Sequence, residues 1–155
     1  MKLDLHTHFY TEAFFQTIRD LPSEFSFGTS SSGQTIITYR GARFFGVTPA
    51  MTDVSKRLED MDRVGIDVEV ISLSTPNVFF TGAEHQPRVA RMINDSYAEL
   101  IARYPTRFKG FASIPMDNSD AALPRRPLCD VPAKTGGALH PRRMPPGLLR
   151  EVWRD

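Results

Sequence analysis

The chain has 155 residues, 41% of them hydrophobic and 24% charged, with a formal net charge of +1. That length allows one domain with a buried core, and the balanced charge gives no general argument for a nucleic-acid or membrane partner. No apolar run can span a bilayer, and the single Cys129 excludes an internal disulfide; Asp4 and two histidines stand where a signal peptide needs an apolar core, so no targeting segment is visible and a cytoplasmic location is expected.

Lys2 to His6 alternates Leu3 and Leu5 with polar residues, which predicts a strand. Thr11 to Leu21 carries Ala13, Phe14, Ile18 and Leu21 at helical spacing and is stopped by Pro22. Phe25–Phe27 and Thr35–Tyr39 are β-prone and are separated by a Gly/Ser turn over 28–33. They predict a small hairpin inserted in the main fold over about 25–47, with Arg43 to Val47 as a third short strand. Thr52 or Asp53 can cap a helix whose stripe is Val54, Leu58, Met61 and Val64, and Gly65 closes it. Asp67 to Leu73 is a β-branched strand. Pro87 to Tyr104 is the longest helix, with Val89, Ile93, Tyr97, Leu100, Ile101 and Tyr104 on one face, ended by Pro105. Phe108 to Ile114 is a further strand, and Asp117 to Leu123 starts another helix capped by Ser119 or Asp120.

Strands alternating with helices predict a parallel sheet with right-handed crossovers. From Pro124 to Asp155 the pattern stops: six of the twelve prolines and seven Lys/Arg fall there, with few periodic apolar residues. This tail reads as weakly ordered. It is also what translation in another frame gives, which reading the coding DNA in all frames tests. The expected division is a domain over 1–123 and an irregular tail over 124–155.

The strongest chemical signal is His6-Thr7-His8. Residues i and i+2 of a strand share a face, so His6 and His8 converge, and imidazole suits zinc and related divalent ions. The plain alternative is two polar residues at a strand end. Asp4, two residues before His6, either orients a histidine or pairs with backbone or a surface cation. His85 reads as a solvent-facing or capping residue. His140 is a weak candidate for a third ligand. Arg40 and Arg43 in the insert can meet an anionic substrate or stand as solvated hairpin arginines. Thr75 and Asn77 follow a strand, where an active-site loop or simple turn chemistry around Pro76 fits equally. Phe79 and Phe80 wall a pocket or fill core. Cys129 has no catalytic partner nearby, and Ser30-Ser31-Ser32 is a turn.

Together, Asp4-Leu5-His6-Thr7-His8-Phe9, the run Arg57 to Asp67, Ser72 to Pro76, Asn94-Asp95 and the run Ala102 to Ala112 resemble the amidohydrolase-related family. Within it they are most similar to the aminocarboxymuconate-semialdehyde decarboxylase-like enzymes, over about residues 1–123. The resemblance implies a (β/α)8 barrel with a small β insert after the first strand. It implies a divalent metal, usually zinc, with His6 and His8 as first-strand ligands, the other ligands coming from later strands. It further implies nonoxidative decarboxylation of an aromatic or unsaturated carboxylate, or hydrolysis as in relatives, with a small carboxylate as partner and homo-oligomers possible. Such a barrel takes about 250 residues, and three strands do not close it. The chain is therefore expected to represent the N-terminal portion of the fold, and a non-catalytic fragment is the competing class.

Overall fold

A computed structural model of the chain describes residues 1–117. The expected helix over 117–123 and the tail over 124–155, with Cys129 and His140, lie outside the described residues except for Asp117.

Three strands form a parallel sheet in the order β1-β5-β6, where β1 is Leu3–His8, β5 is Val68–Ser72 and β6 is Phe108–Gly110. Leu3 pairs with Val68 and His8 with Ser72, with an irregularity between Asp4 and Thr7, while Ile71 pairs with Gly110. The central strand is covered on both faces, so Glu69, Val70 and Ile71 are all buried. A strand enclosed this way reads as a near-continuous apolar run, which is why the stretch Val68–Ser72 does not alternate.

The crossovers carry α1 (Glu12–Asp20), α2 (Val54–Val64) and α3 (Gln86–Arg103). Thr11 caps α1 by accepting the Phe14 N–H on its side chain, and Asp53, rather than Thr52, caps α2 by accepting the Ser55 and Lys56 N–H groups. Gly65 ends α2 at φ 72°, a left-handed position that glycine adopts without Cβ strain. Between α1 and α2 lies a second, antiparallel sheet of β2 (Phe25–Thr29), β3 (Thr35–Tyr39) and β4 (Ala42–Gly46). Arg40 and Gly41, both at positive φ (50° and 80°), make the β3–β4 turn, the handedness that matches strand twist.

The core joins both sheets and the helices. Phe14, Ile37, Ile71, Val78, Ile93 and Phe108 are each wholly buried. Aromatic packing ties the insert to the crossover: Phe15 meets Phe27 edge-on at 5.3 Å, and Tyr10 stacks on Phe45 at 5.8 Å.

Two expectations need correction. The strand expected to reach Ile114 stops at Gly110, because Asn94 takes over the backbone beyond it. The Asn94 side chain donates to the Ser113 carbonyl (3.0 Å) and accepts the Ser113 N–H (2.8 Å), so that segment needs no ladder partner. The apolar stripe of α2 is displaced: Val64 is 54% exposed, while Arg57 is buried beside Met61. The strand expected over Lys2 to His6 forms, with Leu3 and Leu5 exposed.

Candidate metal centre

His6 and His8 stand at the C-terminal end of β1, and their rings meet edge-to-face with centroids 4.9 Å apart. Their Nε2 atoms lie 3.2 Å from each other. That separation tests whether one ion fits. At a metal–imidazole distance of about 2.1 Å, two nitrogens 3.2 Å apart subtend roughly 100° at the ion, between octahedral and tetrahedral angles. The pair therefore fits two neighbouring positions on one divalent ion. Among the described residues, no third His, Cys, Asp or Glu joins it.

The strand end carrying the pair is held from several sides. Thr7, between the histidines, is buried and donates to the Val70 carbonyl at 3.3 Å. His8 Nδ1 lies 3.0 Å from the Ser72 hydroxyl, and that hydroxyl donates to the Thr7 carbonyl at 3.1 Å. The Ser72 carbonyl accepts the Phe9 N–H at 3.2 Å. Tyr97 donates its hydroxyl to the Phe9 carbonyl, and Tyr10 donates to the Thr75 carbonyl at 3.0 Å. Burial pushes Tyr10 up to about 12, so its hydroxyl keeps its proton and remains a donor.

Arg57 anchors the same strand end from below. Its guanidinium donates to the His8 carbonyl, to the Ala50 carbonyl at 2.8 Å and to the Glu69 carboxylate, with both charged side chains about nine-tenths buried. One buried cation thus links α2, β5, the segment before α2 and the histidine strand.

Desolvation, followed by the neighbouring His6 and the Arg57 charge, holds the His8 imidazole below its ordinary 6.5, against an opposing hydrogen bond to Ser72. At neutral pH its ring is uncharged and keeps a lone pair for a metal. The unfolded chain binds this proton more readily than the folded chain. Stability linked to His8 is therefore complete above pH 6.5 and lost as pH falls through the lower folded value. In chelator, the urea midpoint is expected to start falling below pH 6.5, with the fall reduced in His8→Gln. Identical pH profiles for the two proteins would contradict this.

The other candidates separate clearly. Asp4 accepts the backbone N–H of His6 at 3.0 Å, so it fixes the chain rather than an imidazole ring. His85 sits at the start of α3 beside Glu84 at 3.5 Å, away from the pair. Arg40 is paired with Glu24 at 2.6 Å, and Arg43 is solvent-exposed on β4. Asn77 serves its own turn, accepting the Val78 N–H and donating to the Leu73 carbonyl. Phe80 is core, and Phe79 is 45% exposed. Sequence reasoning did not single out Arg57, Ser72 or the Tyr97 hydroxyl. The available signals were Arg57 four residues before Met61 on one helical face, and Glu69 set among β-branched residues in a central strand.

A groove of about 300 Å³ opens beside His8, lined by Tyr10, Phe44, Phe45, Met51 and Thr75. The insert thus brings aromatic surface to His8.

Parallel β/α crossovers with a His-x-His pair at the end of the first strand define an α/β protein with a candidate metal site. No protein-family profile matches the chain. Gamma-resorcylate decarboxylase of Polaromonas sp. is 36% identical over 75 residues, 48% of this chain and 23% of that enzyme. The 2-amino-3-carboxymuconate-6-semialdehyde decarboxylase of Dictyostelium discoideum is 24% identical over 137 residues, 83% of this chain and 37% of that one. The crystal structure of dihydroxybenzoic acid decarboxylase from Polaromonas sp. JS666, with bound manganese and the inhibitor 2-nitroresorcinol, aligns with TM-score 0.55 and 27% identity over 78% of this chain and 32% of that one. The chain is thus similar to gamma-resorcylate decarboxylases and to aminocarboxymuconate-semialdehyde decarboxylases. It spans roughly a quarter to a third of the length of these relatives (23%, 37% and 32%).

Proposed function

We propose that this chain carries the first-strand half of a divalent-metal site in a nonoxidative decarboxylase acting on an aromatic or unsaturated carboxylate. The observation that carries the reading is the convergence of His6 and His8 Nε2 at 3.2 Å beside an aromatic groove, in a chain whose relatives are decarboxylases. The order β1-β5-β6 then corresponds to the first three staves of a (β/α)8 barrel, whose functional groups gather at the C-terminal strand ends. His6 and His8 supply two ligands. When bound, the ion acts as a Lewis acid toward the substrate carboxylate. Imidazole suits zinc, and the similar Polaromonas structure holds manganese; either ion satisfies the proposal. Tyr10, Phe44 and Phe45 offer faces on which an aromatic ring stacks, while Arg57 and Tyr97 keep the strand end fixed. A reducing cytoplasm suits a chain with a single cysteine.

A second reading, a metal-binding chain without catalysis of its own, is favoured by the absence of a third ligand among the described residues. The two are separated by incubating the manganese- or zinc-loaded chain with 2,6-dihydroxybenzoate, the ligand in one related structure, and following carbon dioxide release. Metal-dependent release is expected from the decarboxylase reading. Hydrolysis of a carboxylate ester without carbon dioxide would replace it with a hydrolase. Bound metal with neither reaction would leave the second reading.

A further inference from the structure

We infer that Ser72 is a positioning residue that presets His8 as a ligand through Nε2 by fixing the ring proton on Nδ1. The Ser72 hydroxyl has one hydrogen to give. That hydrogen is directed at the Thr7 carbonyl, 3.1 Å away, which can only accept. Toward His8 Nδ1, 3.0 Å away, the same oxygen then presents a lone pair. With the hydroxyl hydrogen on the Thr7 carbonyl, Nδ1 is the nitrogen that carries hydrogen, and in the neutral ring Nε2 is left as the free base. Nε2 is also the atom that faces His6.

The backbone makes this arrangement local and rigid. Ser72 is the register partner of His8 across the β1–β5 ladder. Its carbonyl accepts the next N–H of β1, from Phe9, at 3.2 Å. One residue of β5 thus holds the Thr7 carbonyl, the His8 ring and the Phe9 amide together. Partners that bond the second nitrogen of a ligating histidine fix its tautomer and its ring orientation.

The tautomer part stands without any metal; only the affinity part rests on the proposed metal site. Long-range 1H–15N NMR on the metal-free full chain at about pH 8, where an imidazole of ordinary pKa is neutral, reads the tautomers directly. The expected result is His8 protonated at Nδ1, with Ser72→Ala moving His8 toward the Nε2–H form and Ser72→Thr retaining Nδ1–H. Zinc affinity is expected to fall about 10- to 100-fold in Ser72→Ala and to recover in Ser72→Thr. His8 found as Nε2–H in the wild-type chain would overturn the inference, and so would an Nδ1–H signal unchanged by Ser72→Ala. If Ser72→Ala does not fold, the wild-type tautomer and Ser72→Thr decide. A Ser72-dependent Nδ1–H tautomer in a chain that binds no zinc would uphold the inference and defeat the metal reading instead.

Discussion

Arg57→Ala is expected to destabilise the chain by about 3–5 kcal/mol, the usual loss when one partner of a buried ion pair is removed. The substitution leaves Glu69 buried without its cation and strips hydrogen bonds from the Ala50 and His8 carbonyls. Domains of this size hold only about 5–15 kcal/mol in total, so much of the folded population is at stake. Urea unfolding measures it. Removing both charges in Arg57→Met/Glu69→Leu restores apolar packing in place of an orphaned carboxylate, and most of the loss is expected to return. A double variant as unstable as Arg57→Ala would mean that the carbonyl bonds, rather than the ion pair, dominate. A single variant within about 1 kcal/mol of wild type, the range of exposed pairs, would show that Arg57 and Glu69 are not buried together.

Phe14→Ala is the second large effect, again about 3–5 kcal/mol, from lost burial plus the cavity left behind. Phe14 is wholly buried and touches three other rings: Tyr10 at 5.9 Å, Phe15 at 6.2 Å and Phe80 at 5.5 Å. Tyr10 comes two residues after His8 and donates to Thr75, so the cavity lies under the groove beside the histidines. Phe14→Leu keeps most of the volume and is expected to lose less than Phe14→Ala. Equal melting temperatures for the alanine variant and wild type would place Phe14 outside the core.

Much of the fold was legible because each element carried its own signal. Gly65 after a helical stripe, the β-branched run around Val70 and the long periodic face of α3 all fell where local chemistry put them. The convergence of His6 and His8 was legible from the two-residue period of a strand alone, even across the ladder irregularity after Asp4. What periodicity hid was polar burial. Arg57 counts as polar in any stripe, yet Glu69 and two carbonyls make its burial possible. Asp4 shared the histidines' sequence parity, but its carboxylate found a backbone amide first. The early end of β6 depended on Asn94, nineteen residues before Ser113 on a separate helix, and no local pattern in 108–114 encodes that partner.

Whether His6 and His8 hold a divalent ion together is read from metal content. The purified folded chain is dialysed against limiting zinc or manganese, and the bound ion is counted by mass spectrometry beside His6→Ala and His8→Ala. The account predicts about one ion per chain in the wild type and a loss of most of it in either variant, since one remaining imidazole is a poor site. Wild-type chain that folds and takes up no stoichiometric ion, or variants that retain it in full, would contradict the account.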